Sequence, residues 1–575
     1  MEKITKIIQE YRFVLLLAVF CGAVYVAPHL FFKITLGNSF HGIELTPRDA
    51  ETHYLSMLNE VKQGYLTHSS TYLYEYKDSK VSPIEYSETF YGTIIKLFNL
   101  GAPGFYLFCE FFFPVVIFLL WYYFSLLVTK NKRSAILSAL FLMFGTYILS
   151  NVSIIKQFDI LFWKTANIPL LAYGRIINPL LTFPFFFAGL IFAYKLFSEN
   201  TKKMAVFSGI ALGIMFYVYF YFWTYFLALS FLMLVFGVSK KEWQLVKNIS
   251  LSISISLLIG SYFIVSMIKT VVSSVGVQSG GSLSPYVFAL SHNPSLPSLV
   301  VLGVALFSFF IYLRRRKGIP LERGDAFIFL LLSTAVVVVN QQIITGRSVE
   351  PGHFHWYANV PVFFLTVSYI IVDLLGKIRI RYLGKTLFII LCLYLITFGI
   401  GTQVSGYKQR FDNFSYIQKY GAVFDWFNRN TEKESVIFGG NGFSDLTPAY
   451  TQNNVYFAAY GAYYPSNPLE RRIHTAYIYY FLDNKKEDIL QKIYPSLTSN
   501  GCVSAGCVDS DIFAKTMANY GEFLKTPFYE NLKKYRVDYM VWDKNTNPSW
   551  NLDKFSFLKP VYNYDNVLVY KILNK

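Results

Sequence analysis

The stretch FVLLLAVFCGAVYVAPHLFF, residues 13–32, is followed closely by LTPRDAETHYLSML, residues 45–58. The first stretch is almost entirely apolar and has the length of about 20 residues that an α-helix needs to cross a bilayer. The second stretch places two acids and a histidine, Asp49, Glu51 and His53, just beyond that length. Together they predict a membrane protein that concentrates ionisable side chains at the edge of its first membrane-spanning helix.

The composition extends this prediction to the whole chain. Of the 575 residues, 54% are hydrophobic and only 15% are charged, whereas soluble domains carry about 25% charged residues. The formal net charge of +17 is spread in small clusters between apolar runs. A nucleic-acid-binding protein would gather this charge in a patch, so the pattern indicates membrane topology and excludes nucleic acid as an expected partner.

Eleven segments are apolar and long enough to be membrane-spanning helices. The predicted spans are 12–32, 103–128, 134–150, 177–196, 204–219, 221–238, 248–269, 297–313, 326–342, 358–376 and 386–403. The continuous apolar run 204–238 is too long for one span. We divide it at FYVYFYFWTYF, residues 216–226, which we expect to form a tight hairpin.

Basic residues recur at every second connection between these spans, beginning with the segment before the first span. Because short basic loops stay in the cytoplasm, the N-terminus is expected inside and the C-terminus outside the plasma membrane. The first span lacks a small-residue cleavage site and is predicted to be a retained signal anchor.

The opposite connections are longer and chemically more varied, which indicates that the protein works on that side. We predict a transmembrane domain over residues 1–404, with a long first outer loop at 33–102, and an extracytoplasmic α/β domain over residues 405–575. In that domain SVIFGG, NVYFAAY, VDYMVW and NVLVYKI are predicted strands, and YGAVFDWFNRN is a predicted helix.

Two of the five cysteines, Cys502 and Cys507, lie in the polar tail within NGCVSAGCVDS. No histidine flanks them closely, so the spacing does not indicate a zinc site. They form either a small disulfide loop, if the tail faces an oxidising compartment, or two free thiols.

Asp49 and Glu51 are the candidate catalytic acids, beside a helix predicted to begin near Thr52. Partial burial raises the pKa of a carboxylate and makes it a usable base. The alternative is an N-cap followed by a solvated loop.

The motif Asp49-Ala50-Glu51-Thr52-His53-Tyr54-Leu55, with a second predicted helix in residues 85–101, resembles the GT-C superfamily of integral-membrane glycosyltransferases. Members of that superfamily take a sugar from a polyprenyl-phosphate carrier at the outer membrane face. The resemblance implies a long first outer loop with an acidic motif, a juxtamembrane helix and a soluble outer domain. In the commonest form of the motif the two acids are adjacent. Here Ala50 separates them, so the resemblance leaves open which acid is the base.

The resemblance implies inverting transfer of the sugar to an envelope polysaccharide, lipid or protein. One carboxylate deprotonates the acceptor hydroxyl while polyprenyl phosphate leaves, and cations stabilise the departing phosphate. The candidate donor-phosphate residues are Arg175 in LAYGRIINPLLTFP and Arg347, His353 and His355 in NQQIITGRSVEPGHFHW. Interfacial snorkelling of the arginine and ordinary loop polarity of the histidines are the alternatives.

Four further residues are candidates for a role in the site. His53 and Tyr54 belong to the acidic motif. Glu110 lies inside the second predicted span, where an acid is either functional or a protonated structural group. The superfamily is divided on metal use, so a divalent cation, Mg²⁺ or Mn²⁺, held by Asp49 and Asp159 is one option; the other is that Asp159 is a loop charge.

Two other functions stay open at this point: a transporter or flippase of lipid-linked saccharides, and a non-catalytic protein of envelope assembly. Transporters concentrate polar groups near the bilayer midplane, whereas most ionisable residues here lie between the spans. An assembly protein would tolerate the loss of both Asp49 and Glu51. The expected partners of the enzyme are a polyprenyl-phosphate sugar, a glycan, lipid or protein acceptor, and membrane lipids.

Overall fold

The structure is a computed structural model of the 575-residue chain. It describes residues 2–46, 51–65, 72–77, 86–150, 153–164, 168–272, 287–458, 469–484 and 519–573. Asp49, Cys502 and Cys507 therefore lie outside the described residues.

Within these ranges, eleven helices follow the eleven predicted spans in order. They are α1 (Glu2–Leu36), α2 (Ala102–Thr129), α3 (Lys132–Phe144), α4 (Phe183–Glu199), α5 (Lys202–Val218), α6 (Phe220–Ser239), α7 (Trp243–Val272), α8 (Ser298–Arg316), α9 (Arg323–Val338), α10 (Val360–Gly376) and α11 (Leu383–Tyr416). Among the described residues, eight helices are long and apolar enough to cross a membrane. The other three, α3, α4 and α5, have 13, 17 and 17 residues. The protein is a polytopic α-helical membrane protein.

The aromatic run 216–226 divides two helices, as predicted. Helix α5 ends at Val218, Tyr219 has an extended backbone with φ −163° and ψ 130°, and α6 begins at Phe220. The hairpin therefore turns at Tyr219, whose side chain is buried.

Two predicted spans differ from the observed helices. The third, 134–150, is interrupted at Gly145, and Thr146–Ser150 forms a separate short helix. The fourth begins later than predicted, because Asn178 has an extended backbone, which is the conformation favoured before a proline. Residues Ile176–Leu181 form a short π-helical segment that is kinked at Asn178, before α4 begins.

Ion pairs join several of the predicted cytoplasmic connections at one end of the helices. Lys132 lies 3.0 Å from Glu10, and Lys130 lies 2.9 Å from Glu322. Arg323 pairs in turn with Glu242. The N-terminal segment and the connections after α2, α6 and α8 therefore share one face, which agrees with the alternation of basic loops.

Both predicted juxtamembrane helices are present in the first outer loop, as Glu51–Gln63 and Ser87–Leu97. They pack closely where Gly92 faces the other helix: a Cβ added at Gly92 would lie 2.5 Å from Cβ of Val61. The missing side chain at residue 92 thus sets the spacing of the two helices.

The C-terminal region contains the predicted α/β fold. A five-stranded mixed sheet has the order β4-β3-β5-β7-β6, with β3 parallel to β4 and β5, and β7 antiparallel to β5 and β6. Two further strands in the membrane domain, β1 and β2, pair antiparallel. The strands are β1 (Val287–Leu290), β2 (Arg347–Val349), β3 (Val436–Phe438), β4 (Asn454–Val455), β5 (Tyr539–Asp543), β6 (Leu558–Tyr564) and β7 (Val567–Ile572).

Helices cover this sheet and connect it to the membrane domain. They are Gln418–Asn430, Asn441–Tyr450, Leu469–Leu482 and Phe528–Lys533. Helix α11 continues to Tyr416 and so runs across the predicted domain boundary after residue 404. The change from membrane to outer domain thus occurs along a continuous helix.

Contacts with the C-terminal domain and an ion pair within the loop hold the first outer loop in place. The Asn59 side-chain amide donates to the carbonyl oxygens of Pro448 and Thr451, both at 2.8 Å. Lys77 forms a buried ion pair with Glu60 at 2.9 Å. These contacts fix the helix that begins at Glu51.

We predict that Gly92→Ala lowers the free energy of unfolding by about 1–3 kcal/mol, because the new methyl group overpacks the contact with Val61. The measurement is the thermal unfolding temperature of the purified protein in detergent. Gly104→Ala is the matched control, since a Cβ at Gly104 has nothing within 4 Å. Equal unfolding temperatures for the two variants would contradict the close packing of the outer helices.

Candidate functional site

A buried ion pair joins the first outer loop to the segment before α4. Glu51 is fully buried at the start of its helix. Nε of Arg175 donates to Glu51 Oε1 at 2.8 Å, and the backbone N–H of Ile176 donates to Oε2 at 3.0 Å. Both carboxylate oxygens are therefore engaged by consecutive residues of one segment.

Local backbone geometry brings Arg175 to this position. It lies between a 3₁₀ turn, Ala172–Gly174, and the π-helical turn that begins at Ile176, and its own backbone is extended. Gly174 lies against the carboxylate of Glu110: a Cβ at Gly174 would lie 3.0 Å from Glu110 Oε2. The glycine lets the chain pass over this buried acid.

The predicted phosphate-binding loop meets Arg175 through Tyr357. Nη1 of Arg175 donates to the Tyr357 hydroxyl at 2.9 Å, and the Tyr173 hydroxyl donates to the Trp356 carbonyl oxygen at 2.8 Å. The turn His355–Asn359 is thereby fixed against the Arg175 segment. Two regions that the sequence places 182 residues apart come together.

His353 is held in the same place by aromatic side chains. Its Nδ1 atom is hydrogen-bonded to the Tyr219 hydroxyl, and its Nε2 atom lies 3.1 Å from Oε2 of Glu350. The centroid of its ring lies 4.6 Å from that of Tyr221 and 5.5 Å from that of Tyr357. The α5–α6 hairpin therefore contributes directly to the site.

The other two predicted phosphate-binding residues occupy different surroundings. Arg347 lies on β2 with an exposed side chain, and its carbonyl oxygen accepts from Gln341. His355 is partly buried, with its ring edge-on to Trp356 at 4.7 Å between centroids. Their predicted role in phosphate binding stays a prediction.

His53 and Tyr54 point to different neighbours. Nδ1 of His53 is hydrogen-bonded to the Tyr72 hydroxyl at 3.1 Å, and the two rings stack at 5.7 Å. Burial raises the pKa of Tyr54, and the charges of Arg175 and Glu51 act on its hydroxyl. Tyr54 thus belongs to the Glu51 cluster, whereas His53 packs within the first outer loop.

Glu110 lies beneath the Arg175 segment. It is buried in α2, where its Oε2 atom is 3.8 Å from Nε2 of His29. The His29 ring is edge-on to Tyr106, with 5.4 Å between centroids. This acid therefore contacts the backbone that carries Arg175, and its functional role stays a prediction.

In the part of the chain that the structure describes, Asp159 does not lie in a cluster of metal-binding side chains. Asp159 is partly exposed and lies 3.6 Å from Nζ of Lys164. Among the described residues, no group of three or more His, Cys, Asp or Glu could hold a metal ion. A cation shared by Asp49 and Asp159 stays a prediction, because Asp49 lies outside the described ranges.

Glu88 is an additional acid of the site that the sequence did not single out. It is buried in the first turn of the helix Ser87–Leu97, and burial raises its pKa to about 7. The Ser87 hydroxyl donates to its carboxylate at 3.3 Å, and its charge acts on Tyr54. An acid in the first turn of a helix usually remains in solvent and interacts with the helix dipole. The sequence therefore gave no indication that Glu88 is buried.

Comparison with known protein families and with curated proteins gives no match. Solved structures of similar shape include ArnT from Cupriavidus metallidurans bound to undecaprenyl phosphate, with 12% identity, a TM-score of 0.48 and coverage of 96% of this chain and 97% of that chain. The apo oligosaccharyltransferase from Archaeoglobus fulgidus has 11% identity, a TM-score of 0.46 and coverage of 93% and 70%, respectively. These neighbours are glycosyltransferases of the GT-C type, the superfamily that the sequence resembles. At these identities and TM-scores the likeness assigns neither family membership nor an activity.

We predict that Glu51→Gln or Arg175→Met alone lowers the free energy of unfolding by about 3–5 kcal/mol, because each leaves a buried charge without its partner. The loss of unfolding free energy in the double variant is expected to be smaller than the sum of the losses in the two single variants. Denaturant unfolding of all four proteins measures the coupling. The exposed pair Glu10–Lys132, at 3.0 Å, is the control and should couple by less than about 1 kcal/mol. Purely additive costs at Glu51 and Arg175 would argue against the buried pair.

We predict that the free energy of unfolding falls as the pH rises from the ordinary pKa of a glutamate to the raised pKa of Glu88 in the folded protein. Its pKa is about 7 in the folded protein against 4.5 ordinarily, so between these values the folded state keeps a proton that the unfolded state has released. The loss approaches about 3 kcal/mol above pH 7. Glu88→Gln should therefore gain in unfolding temperature relative to the unmodified protein between pH 5 and pH 8. The exposed Glu530→Gln is the control; a pH-independent difference for Glu88→Gln would refute the raised pKa.

Proposed function

We propose that the protein transfers a sugar from a polyprenyl-phosphate donor to an envelope polysaccharide, lipid or protein at the outer face of the plasma membrane. The observation that supports this proposal is the convergence of Glu51, Arg175, Tyr357 and His353 from three separate outer segments. Such a cluster places Arg175 and His353 where they would stabilise an anionic leaving group, beside the acidic motif that would supply the base.

In this proposal Asp49 is the general base. Both oxygens of Glu51 are already engaged by Arg175 and Ile176, and a carboxylate neutralised in this way is a poor proton acceptor. Asp49, two residues earlier, is the acid of the motif that this pairing leaves for the reaction. The role of Glu51 is then to fix Arg175 in the site.

The proposed reaction is a single displacement with inversion at the anomeric carbon. The acceptor oxygen forms a bond to that carbon while the bond from the carbon to the phosphate oxygen breaks. The acceptor proton passes to Asp49, and the electron pair of the broken bond leaves with polyprenyl phosphate. Arg175 and His353 would stabilise the negative charge on the leaving phosphate, because donors fixed before the reaction need no rearrangement. Arg347 and His355 are further candidates for contact with the donor phosphate.

The orientation of the protein is part of the proposal. The basic connections that share one face of the membrane domain would lie in the cytoplasm, according to the distribution of Lys and Arg. The Glu51 cluster and the C-terminal domain would then be extracytoplasmic, where lipid-linked sugars meet envelope acceptors.

We predict that Asp49→Asn lowers the rate of sugar transfer by at least about 100-fold, because a general base typically contributes 10²–10⁴-fold. The assay uses sealed right-side-out membrane vesicles that contain a labelled polyprenyl-phosphate sugar, and it measures label in the acceptor fraction. Asp412→Asn, which changes an exposed acid on the outer extension of α11, should retain full activity. Transfer that survives Asp49→Asn would reject Asp49 as the base. Movement of labelled lipid across the membrane without any transfer would favour a flippase.

A further inference from the structure

Glu350 places a negative charge inside the group of residues that would bind the donor phosphate. It immediately precedes the short helix Pro351–Phe354. Its Oε2 atom lies 3.1 Å from Nε2 of His353, and its side chain is 51% exposed. A half-exposed carboxylate therefore accepts a hydrogen bond from Nε2 of the imidazole.

The imidazole itself has little freedom to turn away. Tyr219 engages Nδ1, and the rings of Tyr221 and Tyr357 lie close to the ring of His353. Because an ionised carboxylate only accepts hydrogen bonds, Nε2 carries the proton that points at Glu350. His353 thus presents an N–H donor at Nε2, and Glu350 accepts from it.

Arg175 acts on the same carboxylate. The hydrogen bond from His353 holds the pKa of Glu350 below its usual value, and the positive charge of Arg175 lowers it further. Glu350 is therefore ionised at neutral pH, bonded to His353 and subject to the charge of Arg175. Glu51, by contrast, neutralises Arg175 from the buried side.

We propose that Glu350 occupies the position of an anionic ligand on His353, and that the phosphate group of a polyprenyl phosphate displaces it from the imidazole. The displacement is feasible because a half-exposed ion pair contributes little to stability and the freed carboxylate regains water. This inference rests on the proposed function, since it takes the donor phosphate as the ligand.

The test is a binding experiment that needs no catalysis. The full-length protein in nanodiscs is titrated with undecaprenyl phosphate, and the dissociation constant is measured by calorimetry. Removal of the competing charge in Glu350→Gln is expected to tighten binding about 3–10-fold, and Glu350→Ala should do the same. Glu322→Gln is the matched control, because Glu322 is 48% exposed and lies 2.9 Å from Lys130 at the opposite face. It should bind like the unmodified protein.

The outcomes separate this inference from the proposed function. Binding that is unchanged or weaker in both Glu350 variants overturns the displacement and makes Glu350 a positioning residue of His353. No binding of undecaprenyl phosphate by any of the proteins overturns both the displacement and the proposed donor. A parallel titration with inorganic phosphate distinguishes the source: tightening with inorganic phosphate alone supports displacement by a phosphate group and counts against the lipid carrier.

Discussion

The ion pair between Glu51 and Arg175 is the interaction on which the rest of the site depends. Burying two charges costs more desolvation energy than an imperfect pair returns, so such a pair persists only with near-ideal geometry and additional hydrogen bonds. Here the additional bonds come from the Ile176 backbone N–H to Glu51 and from Arg175 to the Tyr357 hydroxyl. One electrostatic requirement thereby fixes three outer segments that lie far apart in the chain.

The position of Glu51 depends in turn on the outer domain. The helix that begins at Glu51 is packed on one side against the helix that contains Gly92, and on the other side it is bound through Asn59 to the helix Asn441–Tyr450. The buried pair Lys77–Glu60 fastens the same loop. The described part of the C-terminal domain thus supports the helix that carries Glu51. We infer that weakening these contacts would shift Glu51 and, through the ion pair, the position of Arg175, although none of these contacts involves Arg175 itself.

Features that arise from local apolar patterning could be predicted from the sequence, whereas features that arise from packing could not. Apolar run lengths located the helices, and the aromatic run located the turn at Tyr219, because each signal lies within one segment. Helix α4 begins later than predicted because of Asn178 and Pro179. The length of the apolar run does not show the effect of a proline on the residue before it. The partner of Glu51 lies 124 residues away, and the enclosure of Glu88 arises only when outer helices pack together. Neither leaves a periodic signal in the sequence.

The charges of the cluster explain why Glu51 and Glu350 can have different roles. A phosphate that enters a site with two ionised carboxylates meets repulsion, and at short range in a low dielectric this repulsion is severe. Glu51 cannot leave, because it is fully buried and both of its oxygens are bonded. Glu350 can separate from His353, because half of its side chain is already exposed to solvent. A cluster of this kind keeps Arg175 and His353 paired with carboxylates, and it gives up only the exposed carboxylate when an anion of higher charge arrives.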